Sequence, residues 1–153
     1  LDRIIPFGIG SMGMGLPAAV GFALSKKMKQ EKGQIYCLMS DGEMQIGTTW
    51  ESLLIIKHHK LDNLKVLVDV NGFQAMGKTN DILKYPLDVF GGWYFEGHDY
   101  DSIQYALESR HQFCFFSTIK GKGVSFMENN NVWHYAQVKK DDYEKALIEL
   151  NGN

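Results

Sequence analysis

Two apolar runs, Ile35-Tyr36-Cys37-Leu38-Met39 and Leu64-Lys65-Val66-Leu67-Val68-Asp69-Val70, each break abruptly into polar residues and a glycine. The first opens into Ser40-Asp41-Gly42-Glu43. The second ends as Asp69-Val70-Asn71-Gly72-Phe73, and 28 residues lie between Gly42 and Asn71. In a strand–helix alternation that spacing fits one β-α-β unit of about 30 residues. Both polar clusters then emerge at the C-terminal ends of two parallel strands, the edge at which open α/β sheets bind ligands. The unbroken apolar character of Leu64–Val70 suits a sheet covered on both faces.

The rest of the chain extends the alternation. Arg3 to Ile9 reads as an entry segment or a poor strand, because Pro6 removes a ladder donor. Gly8-Ile9-Gly10-Ser11-Met12-Gly13-Met14-Gly15 permits close backbone approach. Leu16-Pro17-Ala18-Ala19-Val20 opens a helix that ends at Gly33, with Lys26, Lys27 and Lys29 suited to its last turns. Thr48-x-x-Glu51 reads as a capping box for the next helix, whose Trp50–Ile56 face is core or subunit interface. Gly72 to Leu87 reads as a loop with a short helix from Thr79 to Lys84, and Val89 to Phe95 as a segment ending in a strand. A helix capped by Asp99 or Asp101 runs over Tyr100–Arg110, and Phe113–Ile119 is a strand. Lys120-Gly121-Lys122-Gly123 is a basic turn, solvated or near phosphate, and Glu128–Val138 is irregular. Asp141-x-x-Glu144 reads as a second capping box for a terminal helix. The order of elements predicts a three-layer α/β domain, a mainly parallel sheet flanked by helices.

Length and charge narrow the function. With 153 residues, one domain with a useful core is expected. A net charge of −2 offers no case for nucleic acid or an anionic membrane. No apolar run approaches the roughly 20 residues that span a bilayer. Cys37 and Cys114 lie inside apolar runs and form no CxxC, which suits buried free thiols in a reducing, cytoplasmic setting. The chain opens at Leu1 rather than Met, so a processed or partial chain is expected.

Taken singly, Asp41-Gly42 and Asn71-Gly72 are ordinary turn dipeptides. Together, behind a glycine-rich loop, they make a cation site. Mg²⁺ takes oxygen ligands and uses few protein groups beside substrate phosphates. Asp41 supplies charge, Asn71 a neutral oxygen, and a backbone carbonyl just after Gly72 a third ligand. Gly42 leaves an N–H open to a phosphate oxygen. Gly8-x-Gly10-x-x-Gly13 also matches a dinucleotide fingerprint, with Asp41 as the ribose acid. That reading is weaker, because the preceding strand holds a proline and the second polar cluster goes unexplained.

A wider set of segments then carries a resemblance. Gly10-Ser11-Met12-Gly13-Met14-Gly15-Leu16-Pro17, Asp41-Gly42-Glu43-Met44-Gln45, Lys60-Leu61-Asp62-Asn63-Leu64, Gly97-His98-Asp99 and Lys120-Gly121-Lys122-Gly123-Val124-Ser125-Phe126-Met127-Glu128-Asn129 resemble, in order, the N-terminal, thiamine-diphosphate-binding section of transketolases, most of all the split-subunit kind. The resemblance implies that residues 1–153 form a diphosphate-binding domain lacking the family's N-terminal portion. It implies Asp41, Asn71 and the Phe73 carbonyl around Mg²⁺, or Ca²⁺, and Gly42, Glu43 and Asn71 against the diphosphate. It places Gly10, Ser11 and Met12 along the cofactor, with Met12 at the thiazolium, and His134 between diphosphate and sugar as a catalytic group. His58, His59, His98 and His111 are expected to be surface or capping residues.

The implied activity is transfer of a two-carbon ketol unit between sugar phosphates, as in the pentose phosphate pathway. It needs a pyrimidine-binding-domain subunit that supplies the activating glutamate, in a dimer or heterotetramer. The isolated chain would be inactive. Alternatives are a related enzyme of the deoxyxylulose-phosphate synthase kind, or a non-catalytic accessory or remnant subunit. Three departures stand out: Ile46 replaces a family glutamate at the subunit interface, Ser40 replaces the first glycine of a Gly-Asp-Gly, and Tyr135 replaces a glycine after the histidine.

Overall fold

The computed structural model describes residues 8–80 and 91–152. The first helix, α1 (Gly15–Met28), is followed by strand β1 (Ile35–Ser40), a single 3-10 turn over Asp41–Gln45, and helix α2 (Gly47–His59). Strand β2 (Leu64–Val70) leads into a two-stranded hairpin, β3 (Phe73–Gln74) and β4 (Gly77–Lys78). Then come β5 (Trp93–Glu96), α3 (Tyr100–Glu108), β6 (Phe113–Ser117), a 3-10 turn over Asn131–His134, and α4 (Lys140–Asn151). The main sheet runs β1-β2-β6-β5 with every pair parallel.

Side chains alternate across a strand, so one run serves two cores. Val66 and Val68 on β2, with Phe113 and Phe115 on β6, face the layer of α1 and α2, where Leu16, Val20, Ala23, Leu53 and Ile56 are buried. Leu67, Cys114 and Phe116 face the other way, against Ala106 and Ile103 of α3 and Phe95 of β5. The expected three-layer arrangement is therefore present, and it aligns Ser40 with Asp69 at the ends of β1 and β2.

Several local expectations change. Helix α1 ends at Met28 rather than at Gly33, because Lys29 caps it and Gln30 takes the left-handed turn. Thr48 caps nothing: α2 begins at Gly47, and the Thr48 hydroxyl donates to the Gly13 carbonyl at 2.7 Å instead. The box before α4 is shifted, with Asp142 accepting from the Lys139 N–H while Glu144 pairs with Lys140. Asp99, not Asp101, caps α3 through the Ser102 N–H at 2.9 Å. That helix stops at Glu108, and β6 stops at Ser117. The segment read as a loop after Gly72 contains the β3–β4 hairpin. The expected Thr79–Lys84 helix falls mostly outside the described residues, as do all but the last two residues of the Arg3–Ile9 segment. Of the Trp50–Ile56 face, Leu53 and Ile56 are core, whereas Leu54 and Ile55 are exposed.

Candidate functional site

The polar ends of β1 and β2 meet, as the spacing required. Asp41 begins the 3-10 turn directly after β1 and has no solvent-exposed surface. Its Oδ2 accepts from the Gly72 N–H at 2.8 Å and from the Thr79 hydroxyl at 2.6 Å. Its Oδ1 is buried and has no hydrogen-bond partner. Burial pushes this carboxyl above its ordinary 3.8, although the Thr79 hydroxyl and the Gly72 and Gly42 amides pull the other way; the charge of Asp69 adds a further upward push. A buried carboxylate with one empty oxygen is costly unless something positive meets it.

Asn71 lies just past the end of β2. Its Nδ2 donates to Asp69 Oδ2 at 2.8 Å, and its Oδ1 accepts from the Phe73 N–H at 2.9 Å. Asp69 Oδ1 in turn takes the Thr118 hydroxyl, so the residue just after β6 fixes the carboxylate that fixes the amide. The Asn71 oxygen keeps a second lone pair, since an amide carbonyl has two. Among the described residues no three His, Cys, Asp or Glu side chains gather into a metal cage. A site here therefore rests on one carboxylate plus amide and backbone oxygens, the pattern Mg²⁺ tolerates because it keeps water and phosphate ligands.

The glycine-rich loop is strapped onto this edge. Glu43 Oε1 accepts from the Gly13 N–H at 2.9 Å, and its Oε2 from the Ser40 N–H at 3.0 Å. Gly13 has φ +75°, and a Cβ there would sit 2.3 Å from Ile46 Cγ2, so only glycine fits. Gly42 is likewise closed in: a Cβ would lie 3.1 Å from Gln74 Cβ and 3.6 Å from Met12 Cε. Met12 thus reaches the Gly42 backbone, yet stays 44% exposed, while Gly10 and Ser11 are exposed beside it. The structure therefore gathers Met12, Asp41, Gly42, Glu43, Asn71 and Phe73.

Comparison with known proteins gives the family. Residues 2–141 match the family described as thiamine pyrophosphate enzyme, C-terminal TPP binding domain. The chain belongs to that family. It is 39% identical over 158 residues to one subunit of the apulose-4-phosphate transketolase of Actinobacillus succinogenes, covering 95% of this chain and 57% of that protein. It is 33% identical to 6-deoxy-6-sulfo-D-fructose transketolase subunit SqwG of a Clostridium species, covering 92% and 56%. Human transketolase is 30% identical over 92% of this chain and 24% of its own length. Among solved structures, the transketolase of Campylobacter jejuni superposes with a TM-score of 0.78 at 27% identity, over 93% of this chain and 25% of that one. The resemblance to split-subunit transketolases read from the sequence is borne out. The chain spans a little more than half the length of the first three relatives it matches, at 57%, 54% and 57%.

For a thiamine-diphosphate domain the donor set fits. The unpartnered Asp41 Oδ1 and the free lone pair of Asn71 suit a cation, and a side chain at Gly42 would crowd Gln74. The nicotinamide reading of Gly8-x-Gly10-x-x-Gly13 is set aside by the family match.

His134 closes the 3-10 turn over Asn131–His134. Its 3-10 turn lies alongside β3, but the ring is exposed and packs edge-on against Tyr135 at 4.8 Å. Ile46 fills the space beside Gly13 and carries no ionisable group. Of the other histidines, His58 and His59 are exposed in the last turn of α2. His98 does more than cap, because its Nε2 accepts from the Ile119 N–H at 2.7 Å. His111 stacks on Trp93 at 4.3 Å. Both cysteines are buried and free. Burial, reinforced by Glu43, pushes Cys37 up to about 11, so it is a core thiol and not a nucleophile. Sequence reasoning missed Thr79 and Thr118 and gave Asp69 no role. An isolated threonine carries no pattern, and only the hairpin and β6 bring these two to the carboxylates. Among the described residues no helix is long and apolar enough to cross a membrane.

Proposed function

We propose that this chain is the diphosphate- and Mg²⁺-anchoring half of a transketolase-like enzyme that transfers a two-carbon ketol unit between sugar phosphates. The carrying observation is the buried Asp41 carboxylate whose Oδ1 has no partner, held by the N–H of Gly72, the residue after Asn71. When bound, thiamine diphosphate supplies the nucleophilic carbon that breaks and forms the carbon–carbon bond. This chain's residues hold and orient. Asp41, Asn71 and the Phe73 carbonyl ligate the cation, with Ca²⁺ an acceptable substitute. Gly42, Glu43 and Asn71 meet the diphosphate, and the Glu43 strap keeps Gly10, Ser11 and Met12 along the cofactor. His134, from its turn beside β3, contacts the sugar as the catalytic group.

Two of the relatives are named as subunits of an apulose-4-phosphate transketolase, and a third as part of a transketolase for a sulfonated ketose. These names support a chain that works with a second subunit on ketoses with an anionic terminus; the proposal takes that subunit to be a pyrimidine-binding-domain chain, in a dimer or heterotetramer in the cytoplasm. The test is a ketol-transfer assay with cofactor and Mg²⁺, run with the chain alone and with a pyrimidine-domain subunit. Turnover is expected only with both; turnover by the chain alone overturns the partner requirement. Calorimetry of the complex carrying Asp41→Asn should show no Mg²⁺-dependent cofactor binding, and unchanged affinity would refute the metal assignment.

Ile46 favours a second reading, an accessory subunit without catalysis. An apolar side chain packed on Gly13 cannot relay charge or protons across a subunit interface. Cofactor binding without turnover in the reconstituted complex would decide for it.

A further inference from the structure

The β3–β4 hairpin needs a reason to exist. It is two residues on each strand, Phe73–Gln74 paired with Gly77–Lys78, and exposes Met76 at its tip. So short a hairpin is not stable through its own ladder. What it achieves is a return: Thr79, eight residues after Asn71, comes back to the base of the loop. Its N–H donates to the Gly72 carbonyl at 3.0 Å, and its hydroxyl donates to Asp41 Oδ2 at 2.6 Å. Thr79 has no exposed surface, although it stands at the end of a hairpin whose residues are half-buried or exposed.

The consequence lies in how Asp41 is divided. The Gly72 N–H and the Thr79 hydroxyl both go to Oδ2, and neither goes to Oδ1. A carboxylate free to rotate would share donors between its oxygens. This one is held with one oxygen saturated and the other empty, so the free oxygen has a fixed direction before any ligand arrives. Residues that orient a ligating carboxylate in this way typically change metal affinity by about 10- to 100-fold when removed.

We infer that Thr79 is a positioning residue for the divalent cation, presetting Asp41 Oδ1 as the ligating oxygen and coupling cation binding to the β3–β4 hairpin. The inference rests on the Asp41 metal assignment. The coupling runs both ways. The cation binds best while Thr79 and Gly72 hold Asp41 with Oδ1 free, so by linkage a bound cation favours the closed hairpin over the open one. Loading the site therefore reduces opening of the hairpin between Gly72 and Thr79.

Two changes separate the hydroxyl from the methyl group. Thr79→Val keeps the shape and loses the donor; Thr79→Ser keeps the donor and loses the methyl. In the complex with its pyrimidine-domain partner, Mg²⁺ is titrated by calorimetry in the presence of thiamine diphosphate, with Asp41→Asn alongside. Hydrogen exchange of the Gly72–Thr79 amides is followed with and without Mg²⁺. Expected are a roughly 10- to 100-fold loss of Mg²⁺ affinity for Thr79→Val and near-native affinity for Thr79→Ser. Mg²⁺-induced protection of the hairpin is expected in native and Ser forms and reduced in the Val form. Native affinity in Thr79→Val, with Asp41→Asn unable to bind, refutes the positioning role and leaves the metal site standing. Native affinity in Asp41→Asn refutes the metal site itself. Equal losses in Val and Ser forms, with the hairpin unprotected in both, would mean that Thr79 serves only to fold the hairpin, and would also overturn the inference.

Discussion

Asp41, just past the end of β1, and Lys65, on the neighbouring β2, are both buried charges, yet they are treated in opposite ways. Lys65, near the start of β2, directs its ammonium into the C-terminal end of α3. It donates to the carbonyls of Ala106 at 2.7 Å, Leu107 at 3.0 Å and Ser109 at 2.6 Å. An ammonium has three donors, and here each has a carbonyl. The helix end gains partners for its orphan carbonyls and a positive charge at its negative pole. Asp41, at the far end of β1, keeps half its capacity empty. The difference separates a charge that completes the fold from one that waits for a ligand. Glu43, two residues from Asp41, falls on the Lys65 side of this division, since both its oxygens hold backbone N–H groups.

Each prediction tests that division in the ligand-free protein by chemical denaturation. Lys65→Met should destabilise most, by about 3 kcal/mol, because several buried carbonyls lose their donor at once. A loss below about 1 kcal/mol would show that water replaces the ammonium and that Lys65 is no integral part of the core. Glu43→Gln should cost about 1.5 kcal/mol, since the amide nitrogen must face one of two N–H donors. It should also release the glycine loop, measured as faster hydrogen exchange at Gly13. Stabilisation by Glu43→Gln would place Glu43 with Asp41 and break the comparison.

Asp41→Asn should act in the other direction and raise stability by about 1 kcal/mol, because it removes an uncompensated buried charge. The same charge gives a pH signature. Its folded pKa is raised, chiefly by burial, above the unfolded value of 3.8. The stability it contributes is therefore fully present below about that pH and is lost as pH rises through the folded pKa. The native protein should lose this increment on that rise, whereas Asp41→Asn should not. Saturating Mg²⁺ and cofactor should restore the increment by binding the folded state. This is the smallest effect, and a flat difference between the two proteins across that range would place a partner on Oδ1.

Much of the fold and of the site is legible along the chain. The apolar runs, their breaks at Asp41 and Asn71, and the spacing between them specify two parallel strands with polar ends side by side, because strand pairing and the β-α-β connection leave few alternatives. The family resemblance added the cofactor. Cap positions are less legible: Thr48-x-x-Glu51 looks like a box, but the glycine loop competes for the Thr48 hydroxyl and wins. Likewise Gly33 looks like a helix stop, but the chain turns out of α1 earlier, through Lys29 and the left-handed Gln30.

The strand pair, the layers and the two polar clusters follow from residue order alone, since periodicity and spacing are properties of neighbours along the chain. Which polar groups are satisfied does not. Nothing local distinguishes Asp41 from Glu43, or Thr79 from any other threonine. Their partners come from Gly72, Gly13 and a hairpin up to 38 residues away, and hydrogen-bond satisfaction is settled only when those segments meet in three dimensions.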